Sequence, residues 1–225
     1  FSEIHCFRGR THSHMMSRLG VFGGMFDPVH EGHLEVARYA KELLHLDCVK
    51  LIPCNIPNHR TPAYCSAAHR LAMLELVTKN EFGIEVDDTE LRKASVSYSV
   101  ETVKVMRANT VADSIVFILG MDSFNSIISW FDWEELFSIC SFFVLGRSEA
   151  RVNREVSQAI GLSERVTNDV AEFFQSNSGK IFVADEFDFD LSSTEVRLKL
   201  KRNLSVGESL DERVFQYIQK ENLYQ

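Results

Sequence analysis

His30 and His33 stand three residues apart in the run Leu19 to His33, LGVFGGMFDPVHEGH, where the chemistry of this chain is most concentrated. Two imidazoles pointing into one small space can donate hydrogen bonds to phosphate oxygens and stabilise charge as it develops. Gly23, Gly24 and Gly32 fall in the same segment. Glycine puts no Cβ between backbone N–H groups and a ligand. Histidines and glycines together point to phosphate chemistry, whereas a lone histidine would more simply cap the turn.

The pair needs elements to hold it. Leu19 to Phe22 reads as a short strand and Gly23-Gly24 as a turn. Leu34 to Leu46, with apolar residues at 36, 37, 40, 43 and 44, reads as an amphipathic helix. A helix N-terminus beside the histidines adds aligned N–H donors and the positive end of a dipole. Cys48 to Pro53 is a second strand, which completes a βαβ unit and predicts a parallel sheet. The proline-punctuated loop Cys54 to Pro62 leaves the C-terminal end of that strand, where open α/β sheets bind ligands. Asn55, His59 and Arg60 are therefore placed to touch a substrate, or are ordinary polar loop residues.

Further along, Ser66 caps a helix running to about Asn80, and Phe82 to Val86 reads as a short strand. Ser97-Tyr98-Ser99 leads into a helix through Val103 and Met106, whose start either receives an anion or is capped by Ser97 or Ser99. Ser114 to Leu119 is the clearest buried strand and ends in Gly120-Met121-Asp122. Gly120 permits close approach of a ligand, and Asp122 either accepts from a ribose or adenine donor or caps the next helix. Of the aromatic cluster that follows, Trp130 is the one suited to lie against a ring, and Trp133 is assigned to packing. Ser141 to Leu145 is a strand ending in Gly146-Arg147, residues 151–179 read as polar and helical, and Lys180 to Ala184 is the last strand.

A second anion-binding end follows, because Ser193 and Thr194 open a helix that carries Arg197 one turn further in and ends near Arg202. The helix from Asp211 to Asn222 packs through Val214 and Ile218, with Tyr217 a further candidate, and reads as structural. The alternation predicts an α/β fold: a doubly wound, mostly parallel sheet with helices on both faces and a small C-terminal helical appendage. Residues 19–225 are expected to form a single domain, the helical part starting near 190, after a tail of residues 1–18.

Composition bounds the function. Apolar residues make up 45% of the 225 residues, 17 of them Phe, which is ample for a core. A formal charge of −8 argues against nucleic-acid binding, and no apolar stretch approaches a membrane span. The first residues are polar, carry His5, His12 and His14, and lack the apolar core of a secretory signal. Five cysteines without C-x-x-C spacing show no disulfide framework or zinc site, which fits a cytoplasmic protein, and Cys48 and Cys140 read as small buried residues.

GGMFDPVHEGH is neither of the two commonest glycine-rich nucleotide patterns. It resembles the His-x-Gly-His nucleotidyltransferase superfamily, in the version of bacterial nicotinate-nucleotide adenylyltransferases. The loop Ile52-Pro53 to His59-Arg60, the run Ser97-Tyr98-Ser99 to Thr102-Val103, Gly120-Met121-Asp122 with Trp130, and Ser192-Ser193-Thr194 with Arg197 resemble further family elements, so the likeness spans Leu19 to Tyr224. The chain departs in having Asn58 for a proline, Arg60 for a lysine, and Arg147-Ser148-Glu149 for Arg-Pro-Gly.

The resemblance implies a Rossmann-like fold and the joining of ATP and nicotinate mononucleotide, with pyrophosphate released. It implies that His30, His33 and Arg197 are catalytic. Gly23, Gly24, Phe26, Gly120, Asp122, Arg147, Ser193 and Thr194 would bind ATP. Asn55, His59, Arg60, Tyr98, Ser99, Thr102 and Trp130 would bind the mononucleotide. Mg2+ would be held mainly by the ATP phosphates, with no protein metal site, and the protein would be a monomer or homodimer. Pantetheine-phosphate adenylyltransferase, a cytidylyltransferase and a non-catalytic nucleotide-binding module are the competing readings.

Overall fold

A computed structural model describes residues 17–56, 62–93, 95–146, 151–184 and 191–225. In chain order the elements are β1 (Arg18–Gly24), α1 (Glu31–Leu43), β2 (Cys48–Pro53), α2 (Ala67–Thr78), β3 (Ile84–Val86), α3 (Ser99–Asn109), β4 (Ser114–Gly120) and α4 (Met121–Phe124). They continue with α5 (Trp133–Ile139), β5 (Ser141–Leu145), α6 (Arg154–Ile160), α7 (Leu162–Arg165), β6 (Val166–Thr167), α8 (Val170–Phe173), β7 (Ile181–Ala184), α9 (Ser193–Lys201) and α10 (Glu212–Lys220). The seven strands form one parallel sheet in the order β3-β2-β1-β4-β5-β7-β6. The order reverses beside β1, the kind of switch point at which open α/β sheets bind ligands. β1 pairs with β4 from Arg18↔Ser114 to Phe22↔Ile118.

The chain divides into two compact units. One comprises Phe1–Phe22, Ala40–Val49 and Tyr98–Asp188. Its core is aromatic: Phe124, Phe142, Phe143 and Phe173 are fully buried, and the Phe137 and Phe142 rings lie 4.3 Å apart. Each such ring contributes about 1.5–3 kcal/mol relative to staying exposed. The other unit comprises Gly23–Tyr39, Lys50–Ser97 and Phe189–Gln225. Leu51, Ile52, Met73, Leu74, Val77, Val196, Val214 and Ile218 make up its core.

Several boundaries differ from the sequence reading. α1 starts at Glu31, not Leu34, so Gly32 and His33 lie in its first turn. It stops at Leu43 because His45 turns left-handed (φ 51°) and Leu46 N–H donates back to the Lys41 carbonyl at 2.9 Å. The stretch 151–179 contains the edge strand β6, whose two residues are too short for any period to register. Neither Ser97 nor Ser99 caps α3; Tyr98 holds that position with no side-chain capping bond. Cys48 is buried as expected but is disulfide-bonded, which corrects the reading of a chain without disulfides, since spacing does not encode pairing. Cys54, Cys65 and Cys140 are outside any disulfide. Among the described residues, no helix is long and apolar enough to cross a membrane.

Candidate functional site

The turn after β1 brings His30 and His33 together within the second unit. The rings lie 3.7 Å apart at 33°, and His30 N–H donates to His33 Nδ1 at 3.2 Å. That bond makes His33 Nδ1 the acceptor and leaves its proton on Nε2. His33 N–H in turn donates to the His30 carbonyl at 2.9 Å. His30 is 5% exposed, and its Nδ1 has no hydrogen-bond partner among the described residues. Burial pushes the His30 imidazole down to about 4, partly offset by the Glu195 carboxylate. His33 is held well below the ordinary histidine value by burial and then by His30. Both rings are therefore neutral at pH 7, each presenting one N–H as a donor.

Gly24 has a different use from the one its sequence suggests. A Cβ there would sit 3.0 Å from the Phe26 ring, so the bare Cα makes room for that side chain. Phe26 adopts a left-handed φ of 49°, is 1% exposed, and meets His33 edge-on at 4.9 Å. Its ring backs the histidine instead of facing solvent. Gly23 is exposed at the end of β1.

α9 reaches the same turn. Ser192 caps it reciprocally with Glu195, as its Oγ accepts from Glu195 N–H and the Glu195 carboxylate accepts from Ser192 N–H. Ser193 Oγ donates to the Pro28 carbonyl at 3.0 Å. Arg197 Nη1 donates to the Asp27 carbonyl at 2.6 Å and Nη2 to Thr194 Oγ1 at 3.1 Å. Its guanidinium lies 4.5 Å over the Tyr64 ring, which is 76% exposed. The structure thus gathers His30, His33, Ser193, Thr194 and Arg197.

Two residues that the sequence did not signal, Asp27 and Arg70, hold this arrangement. Asp27 is 4% exposed and accepts from Tyr64 N–H, Cys65 N–H and Tyr224 O–H at 2.6, 3.2 and 2.7 Å. Arg70, 2% exposed, donates from Nη1 to the carbonyls of Met25 and Cys54, both at 2.8 Å. It clips the turn after β1 to the end of β2. Asn55, on that second turn, donates from Nδ2 to the Lys93 carbonyl at 2.5 Å, which ties the turn to the stretch that precedes α3.

The other unit carries the remaining described candidates. Tyr98 lies against Phe131 at 4.7 Å, and Ser99 is the first residue of α3. Thr102 is 2% exposed and donates to the Tyr98 carbonyl at 3.3 Å, which turns its hydroxyl into the protein. Trp130 donates from Nε1 to Ser126 Oγ at 3.2 Å and meets Phe117 edge-on at 6.1 Å, while Trp133 packs on Phe137. Gly120 has open space where a Cβ would stand, and Asp122 is exposed within α4. His59, Arg60 and Arg147 lie outside the described residues.

A cytidylyltransferase-like family model matches residues 21–199. A protein named as a probable nicotinate-nucleotide adenylyltransferase from Pseudoalteromonas atlantica is 35% identical over 92% of this chain and 94% of its own. Its namesake from Shewanella frigidimarina is 32% identical over 92% and 99%. Plasmodium falciparum nicotinic acid mononucleotide adenylyltransferase, solved with NaAD, superposes with a TM-score of 0.68 at 19% identity, covering 92% of this chain and 97% of that one. At that identity the structural likeness concerns the fold alone.

Proposed function

The chain belongs to the nicotinate-nucleotide adenylyltransferase family, within the cytidylyltransferase-like group, and from that premise we propose that it joins nicotinate mononucleotide to the adenylyl group of ATP. In this reaction a phosphate oxygen of the mononucleotide attacks the α-phosphorus of ATP. The bond from that phosphorus to the bridging oxygen of the β-phosphate breaks, and pyrophosphate leaves with the electron pair. The product is nicotinate adenine dinucleotide, a precursor of NAD.

Such a transfer asks little covalent work of the protein and much positioning of mutually repelling anions. The observation that carries the reading is the buried His30 imidazole, without a partner on Nδ1 among the described residues, stacked on His33. Neutral, desolvated donors stabilise charge that develops in the transition state without reorganising as it forms. His30 and His33 are assigned to the reacting phosphates, with Gly23 presenting backbone N–H. Ser193, Thr194 and Arg197, at the start of α9, are assigned to the β- and γ-phosphates and to drawing off pyrophosphate. Asn55, Tyr98, Ser99 and Trp130 are assigned to the nicotinate nucleotide. Gly120 and Asp122 are assigned to ATP.

Magnesium enters with the substrate as MgATP. Among the described residues, no group of three His, Cys, Asp or Glu side chains is placed to hold an ion. Phosphate oxygens and water are proposed as the main ligands of magnesium, as the resemblance implies. The cytoplasm is the proposed compartment.

The reading is tested by incubating the protein with MgATP and nicotinate mononucleotide. Nicotinate adenine dinucleotide and pyrophosphate should appear in equal amounts. Binding of ATP without product would leave a nucleotide-binding module instead.

A further inference from the structure

Asp27 ties distant stretches of the chain to the turn that carries His30. Its carboxylate accepts from the backbone N–H groups of Tyr64 and Cys65 and from the Tyr224 hydroxyl, at 2.6, 3.2 and 2.7 Å. Its carbonyl accepts from Arg197 at 2.6 Å, and the neighbouring Pro28 carbonyl accepts from Ser193 at 3.0 Å. A buried carboxylate held this way cannot rotate without stranding donors, and stranded buried donors are costly. Residues 27 and 28 are therefore fixed by a small set of bonds, with His30 two residues on and Arg197 suspended from the Asp27 carbonyl.

Of the donors to the Asp27 carboxylate, two belong to the backbone and one to a side chain. The side chain is Tyr224, which stands after α10 in a left-handed conformation (φ 59°). The Cys65 thiol is a second polar neighbour of its hydroxyl. Burial and these two neighbours push its phenol far above the ordinary tyrosine value, so it remains a donor throughout the working range. Nothing in the period or capping of α10 requires a tyrosine here.

We propose that Tyr224 is a positioning residue for adenylyl transfer, its hydroxyl fixing Asp27 so that His30 and Arg197 meet the triphosphate in reactive geometry. The proposal rests on the adenylyltransferase reading. A merely structural role would be to staple the segment after α10, and Tyr217 supplies the matched control. Its hydroxyl bonds His69 Nδ1 at 2.8 Å, and among the described residues it makes no hydrogen bond to Asp27 or Arg197.

The test compares Tyr224→Phe with Tyr217→Phe in steady-state kinetics, thermal unfolding and amide hydrogen exchange. Tyr224→Phe should lower kcat about tenfold, with KM for MgATP within about twofold, since misplaced groups weaken transition-state contacts more than ground-state binding. Exchange at the Tyr64 and Cys65 amides should accelerate in that variant alone. Tyr217→Phe should lose comparable thermal stability and keep kcat. Asp27→Asn should lower kcat similarly, and the double variant should lose little more, because both changes break one coupling. A Tyr224→Phe kcat within about twofold of the parent, an equal loss in Tyr217→Phe, or additive losses in the double variant would overturn the proposal. A parent protein that releases no pyrophosphate would instead sink the activity reading. Exchange would then decide the anchoring: accelerated Tyr64 and Cys65 amides sustain it, and unchanged ones remove it.

Discussion

The backbone N–H of His30 donates to Nδ1 of His33 at 3.2 Å while the two rings stack 3.7 Å apart. One histidine therefore sets the tautomer of the other through the main chain, and burial keeps both neutral. Phe26 closes the far side of His33 at 4.9 Å. The two imidazole donors are thus built from the turn and the first turn of α1, and on the proposed reading small changes there should be felt in catalysis.

Protonation of His30 is disfavoured in the folded protein, where its value is about 4 against 6.5 ordinarily. The unfolded chain binds the extra proton first, so stability from this group is complete above pH 6.5 and is lost as pH falls toward 4. A shift of that size corresponds to about 3 kcal/mol. His33 acts in the same direction. Histidine NMR titration should find both rings neutral at pH 6, and unfolding midpoints should fall more steeply with acid than in His30→Gln.

His30→Ala should lower kcat by about 10²–10³-fold, the usual cost of one preorganised donor to developing charge. The far-ultraviolet spectrum should be unchanged. Turnover equal to the parent would remove His30 from the chemistry.

Arg197→Lys keeps the charge but loses the fork that reaches the Asp27 carbonyl and Thr194 Oγ1 together. Pyrophosphate release should slow by about tenfold or more, with a raised KM for MgATP. Lysine restoring parental kinetics would show that charge alone suffices.

Arg70→Met should destabilise by about 3–5 kcal/mol, because it strands the Met25 and Cys54 carbonyls that the buried guanidinium now satisfies. Thermal unfolding reads this directly. A midpoint within a degree or two of the parent would show that water replaces the clip.

Much of this organisation is legible in the sequence. β2 and β5 are short, mostly apolar runs, and the observed strands Cys48–Pro53 and Ser141–Leu145 match the reading at both ends. Ser66 caps α2 as read, accepting from His69 N–H at 3.3 Å. What escaped is long-range. Asp27 and Tyr224 are 197 positions apart, and no period or motif connects them. Arg70 looks like an ordinary polar residue of an amphipathic helix until the fold buries it. Gly24 signals an open backbone in sequence, yet the space it leaves is taken by a ring two residues on. The apolar face of the helix at Asp211–Asn222 is legible, but the hydrogen bond between Tyr217 and His69 joins residues 148 positions apart and is not.

The most direct test is pyrophosphate release with MgATP, comparing nicotinate mononucleotide, nicotinamide mononucleotide and phosphopantetheine. Strong preference for nicotinate mononucleotide is the predicted result. Preference for the amide would keep the reaction and overturn the acid assignment, and release with phosphopantetheine alone would contradict the account.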